Sequence, residues 1–234
     1  PEDVFASLRL VYALKDAERF PEALQLSEQL FVQSAERSYQ EEPNKTYLVI
    51  ARAQVLSAAE QLEESADLLN EEIRDHHDPK ELYLASSQLY VDHKQYQEAK
   101  KVIEEALNRY PENERMQFQL GAIYERQKEW EEVESIFKSI LENHPQHSGV
   151  LNYLGYMLAD RGIRLVEALD YIMKAVEIEP HNGAYLDSLG WVYFRLERYD
   201  QAEFNLLEAS QLVDSDATIF DHLGDLYSVL GQYE

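Results

Sequence analysis

The chain contains no cysteine in 234 residues, which removes disulfides, thiol catalysis and cysteine-ligated zinc together. Glycine and proline are sparse, 8 and 7 residues, and alternating β-branched runs are lacking, so an all-α protein is expected. Cations are also scarce: 21 Lys and Arg stand against 45 Asp and Glu, giving a formal charge of -24. Contact with nucleic acid or with an anionic membrane surface draws on clustered Lys and Arg, and neither is expected here. The acidity reads as a solvated outer surface that keeps the chain soluble. Runs of about 18 apolar residues are missing too, which excludes a membrane-spanning helix within this sequence. The opening residues Pro1-Glu2-Asp3-Val4 show no charged segment followed by an apolar run. The compartment stays open between cytoplasm and bacterial periplasm.

Signatures of catalysis are equally thin. No phosphate-cradling glycine loop or nucleophile elbow is present, and carboxylates are too numerous for any pair to signal acid–base chemistry. His76 and His77 lie beside Asp75 and Asp78, and His144 lies close to His147. Neither group supplies three ligands at a motif spacing, and both fall at expected turns, where polar residues are ordinary. No enzyme, cofactor or metal site is expected.

What the chain does have is a period. Gly121, Gly155, Gly190 and Gly224 each follow a leucine, at spacings of 34, 35 and 34. Three residues after each glycine comes Tyr124, Leu158, Tyr193 or Tyr227; a second amphipathic stretch follows the first three, ending near Pro145 and Pro180 after Gly121 and Gly155, and Pro111 closes the unit before them. This is a repeated helical hairpin. Small residues such as Gly190 and Ala202 let two helices approach, larger ones such as Tyr193 and Leu206 fill the space beside them, and proline stops the second helix. Each unit is too small to bury its own apolar face, so neighbours must stack and the function must lie on a repeated surface.

The residues in this frame resemble the tetratricopeptide repeat. One unit reads Tyr83, Ser87, Tyr90, Tyr96, Ala99, Ile103, Ala106 and Pro111; the next reads Leu120, Gly121, Tyr124, Trp130, Val133, Phe137, Ile140 and Pro145. Downstream follow Leu151, Leu154, Gly155, Leu158, Ala168, Ala175 and Pro180, then Leu186, Leu189, Gly190, Tyr193, Tyr199, Ala202, Leu206 and Ala209. Two more degenerate units precede them, carried by Val11, Leu14, Phe20, Ala23 and Leu30, then by Val49, Ala53, Leu56, Ser65 and Leu69. The resemblance implies a right-handed superhelical α-solenoid of helix-turn-helix hairpins. It predicts a single array over residues 1–234, with units at about 4–37, 46–79, 80–113, 114–147, 148–182 and 183–216, and a partial unit at 217–234. Leu154 to Arg161 and Glu167-Ala168-Leu169 resemble units of bacterial multi-repeat proteins, which points to a prokaryotic source.

Two irregularities stand out. Residues 38–45 are extra, most simply a second helix prolonged to about Glu42 before Pro43. Gly155 to Ala168 spans 13 residues where Gly190 to Ala202 spans 12, which places one added residue in the turn Asp160-Arg161-Gly162-Ile163-Arg164. That turn reads as a tolerated insertion, although its arginines stand out in an acidic chain and suit a local anionic contact. Phe220, Leu223, Tyr227 and Leu230 begin a unit without its second helix, so a fragment of a longer protein is expected, with an apolar end open to self-association.

In the family that this chain resembles, first helices line an inner, concave face, and their free positions meet the ligand. Carried over, this face presents Tyr47, Ile50, Gln54 and Ser57; then Glu81, Leu84, Gln88 and Val91; then Arg115, Phe118, Ala122 and Glu125. Asn152, Tyr156 and Ala159 follow, then Asp187, Trp191, Phe194 and Arg195, then Asp221 and Asp225. The resemblance thus implies a partner-binding groove around Phe118, Asn152, Tyr156, Asp187, Trp191, Phe194 and Arg195, although any single aromatic there can equally pack within the array. A chaperone-tail clamp is not expected, because no lysine accompanies Asn152. Two functions follow from these residues: a scaffold that binds a peptide or partner protein, or a structural spacer or oligomerisation module. A third is the targeting arm of a larger protein whose enzymatic domain lies outside this sequence.

Overall fold

The computed structural model describes residues 4–36, 42–213 and 215–231. Among them every regular element is a helix: α1 (Val4–Asp16), α2 (Phe20–Glu36), α3 (Glu42–Ala58), α4 (Leu62–Asp75), α5 (Lys80–Asp92), α6 (Tyr96–Arg109), α7 (Glu114–Gln127), α8 (Trp130–Asn143), α9 (Ser148–Asp160), α10 (Leu165–Ile178), α11 (Gly183–Arg195), α12 (Tyr199–Leu212) and α13 (Ala217–Leu230). This is an all-α helical repeat fold. The chain divides into two compact units, residues 1–130 and 131–234, so the division falls where α8 begins.

The helix ends follow local chemistry. Asn113, Asn182 and Asp216 cap α7, α11 and α13 by accepting backbone N–H bonds from the first turn, and His147 Nδ1 does the same for α9 at 3.3 Å. Each cap satisfies a donor that the helix itself leaves without a partner, a contribution of about 1 kcal/mol. The caps at 113, 147, 182 and 216 repeat with the same 34, 35, 34 spacing as the glycines. Pro111, Pro145 and Pro180 each stand two residues beyond the last residue of α6, α8 and α10, where proline ends a helix without breaking one.

Within hairpins the turn uses a left-handed residue: Glu18, Glu60, Lys94, Lys128 and Glu197 all have φ between 58° and 63°. The turn between α9 and α10 differs. Gly162 takes φ +67° and Arg164 a second positive φ of +50°, which is how the added residue is absorbed. The other irregularity resolves differently from expectation. Residues 37–41, expected in a prolonged second helix, lie outside the described residues, but Glu42 and Pro43 open α3 instead of closing α2. Proline is tolerated in a first turn because that turn's amides have no intrahelical partner.

In residues 1–130, α1 packs on α2, α3 on α4 and α5 on α6, and α1, α3, α5 and α7 also touch in succession. Leu8, Val11, Ala23, Leu48, Ala51 and Val55 form a buried cluster here, with Leu14, Phe20 and Leu30 packed against it. Two serines sit at close-approach positions, Ser87 where the glycines stand in later repeats and Ser65 where Ala99 and Ala202 stand. Ser65 Oγ donates to the Ala53 carbonyl at 2.7 Å and Ser87 Oγ to the Ala99 carbonyl at 3.2 Å, so each buried hydroxyl both permits contact and satisfies its own hydrogen bond.

In residues 131–234, α9 packs on α10 and α11 on α12, while α9, α11 and α13 form the succession of first helices. Gly155 and Gly190 sit at the contact points. A Cβ on Gly155 would meet the Ile172 side chain and lie 2.8 Å from the Ala168 carbonyl; one on Gly190 would lie 2.6 Å from Leu206 Cγ and 3.2 Å from the Ala202 carbonyl. Ile172 and Leu206 are fully buried as a result, each worth about 1.5–3 kcal/mol of apolar transfer.

Candidate functional site

The first helices of residues 1–130 border an open concavity of about 640 Å³ lined by Leu84, Gln88, Glu114, Arg115, Phe118, Gln119 and Ala122. α5 and α7 touch, and residues one turn apart on each present the same face. Five of these residues are positions that the repeat register assigns to the inner face. Phe118 and Leu84 supply the apolar part. Gln119 Nε2 donates to Gln88 Oε1 at 3.1 Å, and Gln88 Nε2 donates in turn to Asp92 Oδ1 at 2.6 Å. Arg115 pairs with Glu81 one repeat earlier. The lining therefore combines an aromatic ring with side-chain amides, groups able to pack on an apolar side chain and to bond a peptide backbone. Ile50, Gln54 and Ser57 line a smaller recess of about 270 Å³ on the same succession of helices, whereas Tyr47 is exposed.

The inner face of residues 131–234 is built differently. Tyr156 and Asn152 on α9 and Phe194 and Arg195 on α11 are half-buried, but Asp187 and Trp191 are only 6% and 8% exposed. His222 of α13 closes over them. Its ring stacks on Trp191 at 4.2 Å between centroids with 16° between planes, and Nδ1 lies 2.8 Å from Asp187 Oδ1. Phe194 stacks on Trp191 at 5.1 Å. The Tyr156 ring is 6.2 Å from His222, so α9, α11 and α13 each contribute to one aromatic cluster. Asp221 and Asp225, assigned to the inner face by register, are exposed. The register points one residue before His222 and so misses it.

Arg195 is engaged too. Its Nη1 donates to the Asp160 carbonyl at 2.6 Å and its guanidinium lies 5.6 Å from the Trp191 ring. Gly162 lies beside this guanidinium, and its positive φ is the reason for glycine there, since side chains with a Cβ rarely adopt that backbone conformation. The anionic contact expected for the arginines of this turn is internal for Arg164, which bridges Glu134 at 2.8 Å and Glu167 at 2.5 Å. Burial works to raise the Glu134 pKa, but hydrogen bonds from Lys138 and Arg164 outweigh it and hold the group below its ordinary value.

One histidine of each group is engaged locally. His76 Nε2 lies 3.0 Å from Thr46 Oγ1, and its Nδ1 accepts from the Asp78 amide at 3.1 Å; His147 caps α9. Among the described residues no three His, Asp or Glu side chains converge on a common point, and no helix is long and apolar enough to cross a membrane.

Residues 90–152 match the tetratricopeptide repeat family. A TPR repeat-containing protein of Pseudomonas aeruginosa is 43% identical over 75 residues, which make up 32% of this chain and 12% of that protein; the chain thus spans a small part of this relative. Among solved structures, YrrB, a TPR protein with an unusual peptide-binding site, is similar with a TM-score of 0.54 at 21% identity, over 82% of this chain and 96% of that one. A tetratricopeptide repeat protein from Parabacteroides merdae gives 0.67 at 14% identity, over 98% and 87%. MamA from Desulfovibrio magneticus gives 0.57 at 20%, over 73% and 96%. These three likenesses are likenesses of fold.

Proposed function

We propose, from the premise that this chain belongs to the tetratricopeptide-repeat family, that it is a non-enzymatic protein-interaction scaffold whose first helices hold a peptide or a segment of a partner protein. The observation that carries this reading is the concavity on α5 and α7, where Phe118 and Leu84 offer apolar contact beside the Gln88–Gln119 amide pair. Extended backbone presents alternating donors and acceptors that such amides match, and an aromatic anchor in a recess supplies the larger share of binding energy. The likeness to YrrB, a TPR protein with a peptide-binding site, supports the same reading.

In residues 131–234 the proposed partner surface consists of Asn152, Tyr156, Phe194 and Arg195, with Asp187 and Trp191 forming its floor beneath His222. The filling of that floor by the chain's own histidine favours a second reading for this half alone, that of a structural spacer. An affinity capture with the wild type, with Phe118→Ala and with Tyr156→Ala separates the two. A scaffold loses a specific partner in one or both variants, by about 2 kcal/mol for a true anchor. An unchanged set of partners overturns the groove assignment.

A further inference from the structure

Ile50 of α3, Leu84 of α5 and Phe118 of α7 stand 34 residues apart in sequence, so the repeat puts them at one register position on three successive first helices. All three are half-buried. Ile50 lines the smaller recess, Leu84 and Phe118 line the larger one, and Gln88 borders both, so the two recesses adjoin at Gln88. Gln54 and Gln88 form a second row one helical turn further on, both exposed and again 34 residues apart. Ala122 takes the third place in that row, and Gln119 supplies an amide there by donating to Gln88 at 3.1 Å. An apolar row therefore runs beside an amide row across α3, α5 and α7.

The interval between these rungs selects the backbone that fits them. α3 touches α5 and α5 touches α7, and helices in contact lie about 8–10 Å apart. An occupant that crosses them must offer an apolar side chain at that interval. A β-strand returns to the same face every two residues, about 6.6 Å, and falls out of step by the third helix. An α-helix has its backbone N–H and C=O groups bonded internally, which leaves the glutamines only side chains to meet. Polyproline II has three residues per turn and rises about 3.1 Å per residue, so equivalent side chains recur at about 9.3 Å, and its carbonyls have no internal partner. Each glutamine amide carries two N–H donors, of which Gln88 directs one to Asp92 and Gln119 one to Gln88.

Charge narrows the occupant further. The cations at the groove, Lys15 and Arg115, pair with Asp16 and Glu81, whereas Asp92 accepts from the neutral Gln88 amide. A segment carrying Lys or Arg complements this balance and the formal charge of -24 on the whole chain. We propose, resting on the reading that these first helices hold a peptide, that the occupant is a proline-rich segment in the polyproline II conformation. It sets an apolar side chain at every third residue against Ile50, Leu84 and Phe118, with Lys or Arg flanking them.

The probe is a fluorescein-labelled peptide of three Leu-Pro-Pro triplets flanked by lysines, added to the full chain and followed by anisotropy. Saturable binding is expected, at least about tenfold weaker for an isomer with its leucines adjacent, for Phe118→Ala and for the double variant Gln54→Ala/Gln88→Ala. Both glutamines are exposed, and far-ultraviolet circular dichroism verifies that the variants keep their helices. Equal binding of the two isomers, no binding of either, or indifference to both variants overturns the proposal. Tighter binding of a peptide with glutamates in place of the lysines overturns it as well. A peptide of alternating leucine and threonine separates failure of the conformation from failure of the groove. If it alone binds and Phe118→Ala releases it, a peptide groove stands and the polyproline II assignment is overturned.

Discussion

Nδ1 of His222 on α13 donates to Oδ1 of Asp187 on α11 across 2.8 Å, with each residue only 6% exposed. An imidazole and a carboxylate are therefore taken out of water together. Removing one partner leaves the other buried without its bond, which costs about 3–5 kcal/mol. His222→Leu is expected to lose stability in that range, and the double variant Asp187→Leu/His222→Leu to recover most of it, because two apolar groups no longer carry a desolvation penalty. Urea unfolding of the three variants measures this; additive losses in the double variant would refute the coupling.

The glycines of α9 and α13 respond in opposite senses to alanine. At Gly155 a methyl lies 2.8 Å from a backbone carbonyl and also meets Ile172, so Gly155→Ala is expected to lose about 1–3 kcal/mol through overpacking. At Gly224 the methyl meets no atom of the described residues beyond its own helix within 4 Å, and Gly224→Ala is expected to gain up to about 1 kcal/mol from helix propensity and reduced unfolded-state entropy. Thermal midpoints of the pair test the contrast. Equal effects would show that the two positions share one environment.

Glu134 carries a pH dependence with a definite sign. Its folded pKa lies below the ordinary 4.5, so near and below that value the unfolded state binds more protons than the folded one. The stabilisation is fully present above pH 4.5 and is lost as pH falls through the depressed folded value. The difference in thermal midpoint between the wild type and Glu134→Gln is expected to be constant at neutral pH and to shrink on acidification below that point. A difference that grows on acidification would contradict the cluster with Lys138 and Arg164.

Trp191 and Phe118 are expected to separate stability from binding. Trp191 is buried between Phe194 and His222, so Trp191→Ala should cost about 3–5 kcal/mol of stability. Phe118 is half-buried at an open concavity, and Phe118→Ala should cost less than about 1 kcal/mol. Chemical denaturation provides the comparison; similar losses would place Phe118 in the core.

The turn between α9 and α10 is legible in the sequence because the count from Gly155 to Ala168 exceeds the next repeat by one, and a count survives any tertiary arrangement. The His222 closure is not legible there. Asp187 stands three residues before Gly190, but His222 stands two before Gly224, so reading each helix at the same register selects Asp221. Only the succession α9, α11, α13 brings a side chain from the next register position over Trp191. The fate of Arg164 is hidden for a related reason, since Glu134 is 30 residues away in sequence and meets it only after the hairpins stack.

The sequence by itself determined the helical repeat. Caps, left-handed turn residues, prolines and close-approach glycines act through neighbours within a few residues or one hairpin, and their effects recur wherever the period places them. Tertiary structure alone decided which inner positions stay open. Phe118 borders a concavity and Trp191 lies under a histidine, although both are aromatics on first helices. That difference depends on what the next helix brings across a gap of a few ångströms, a quantity that side-chain packing sets and periodicity does not.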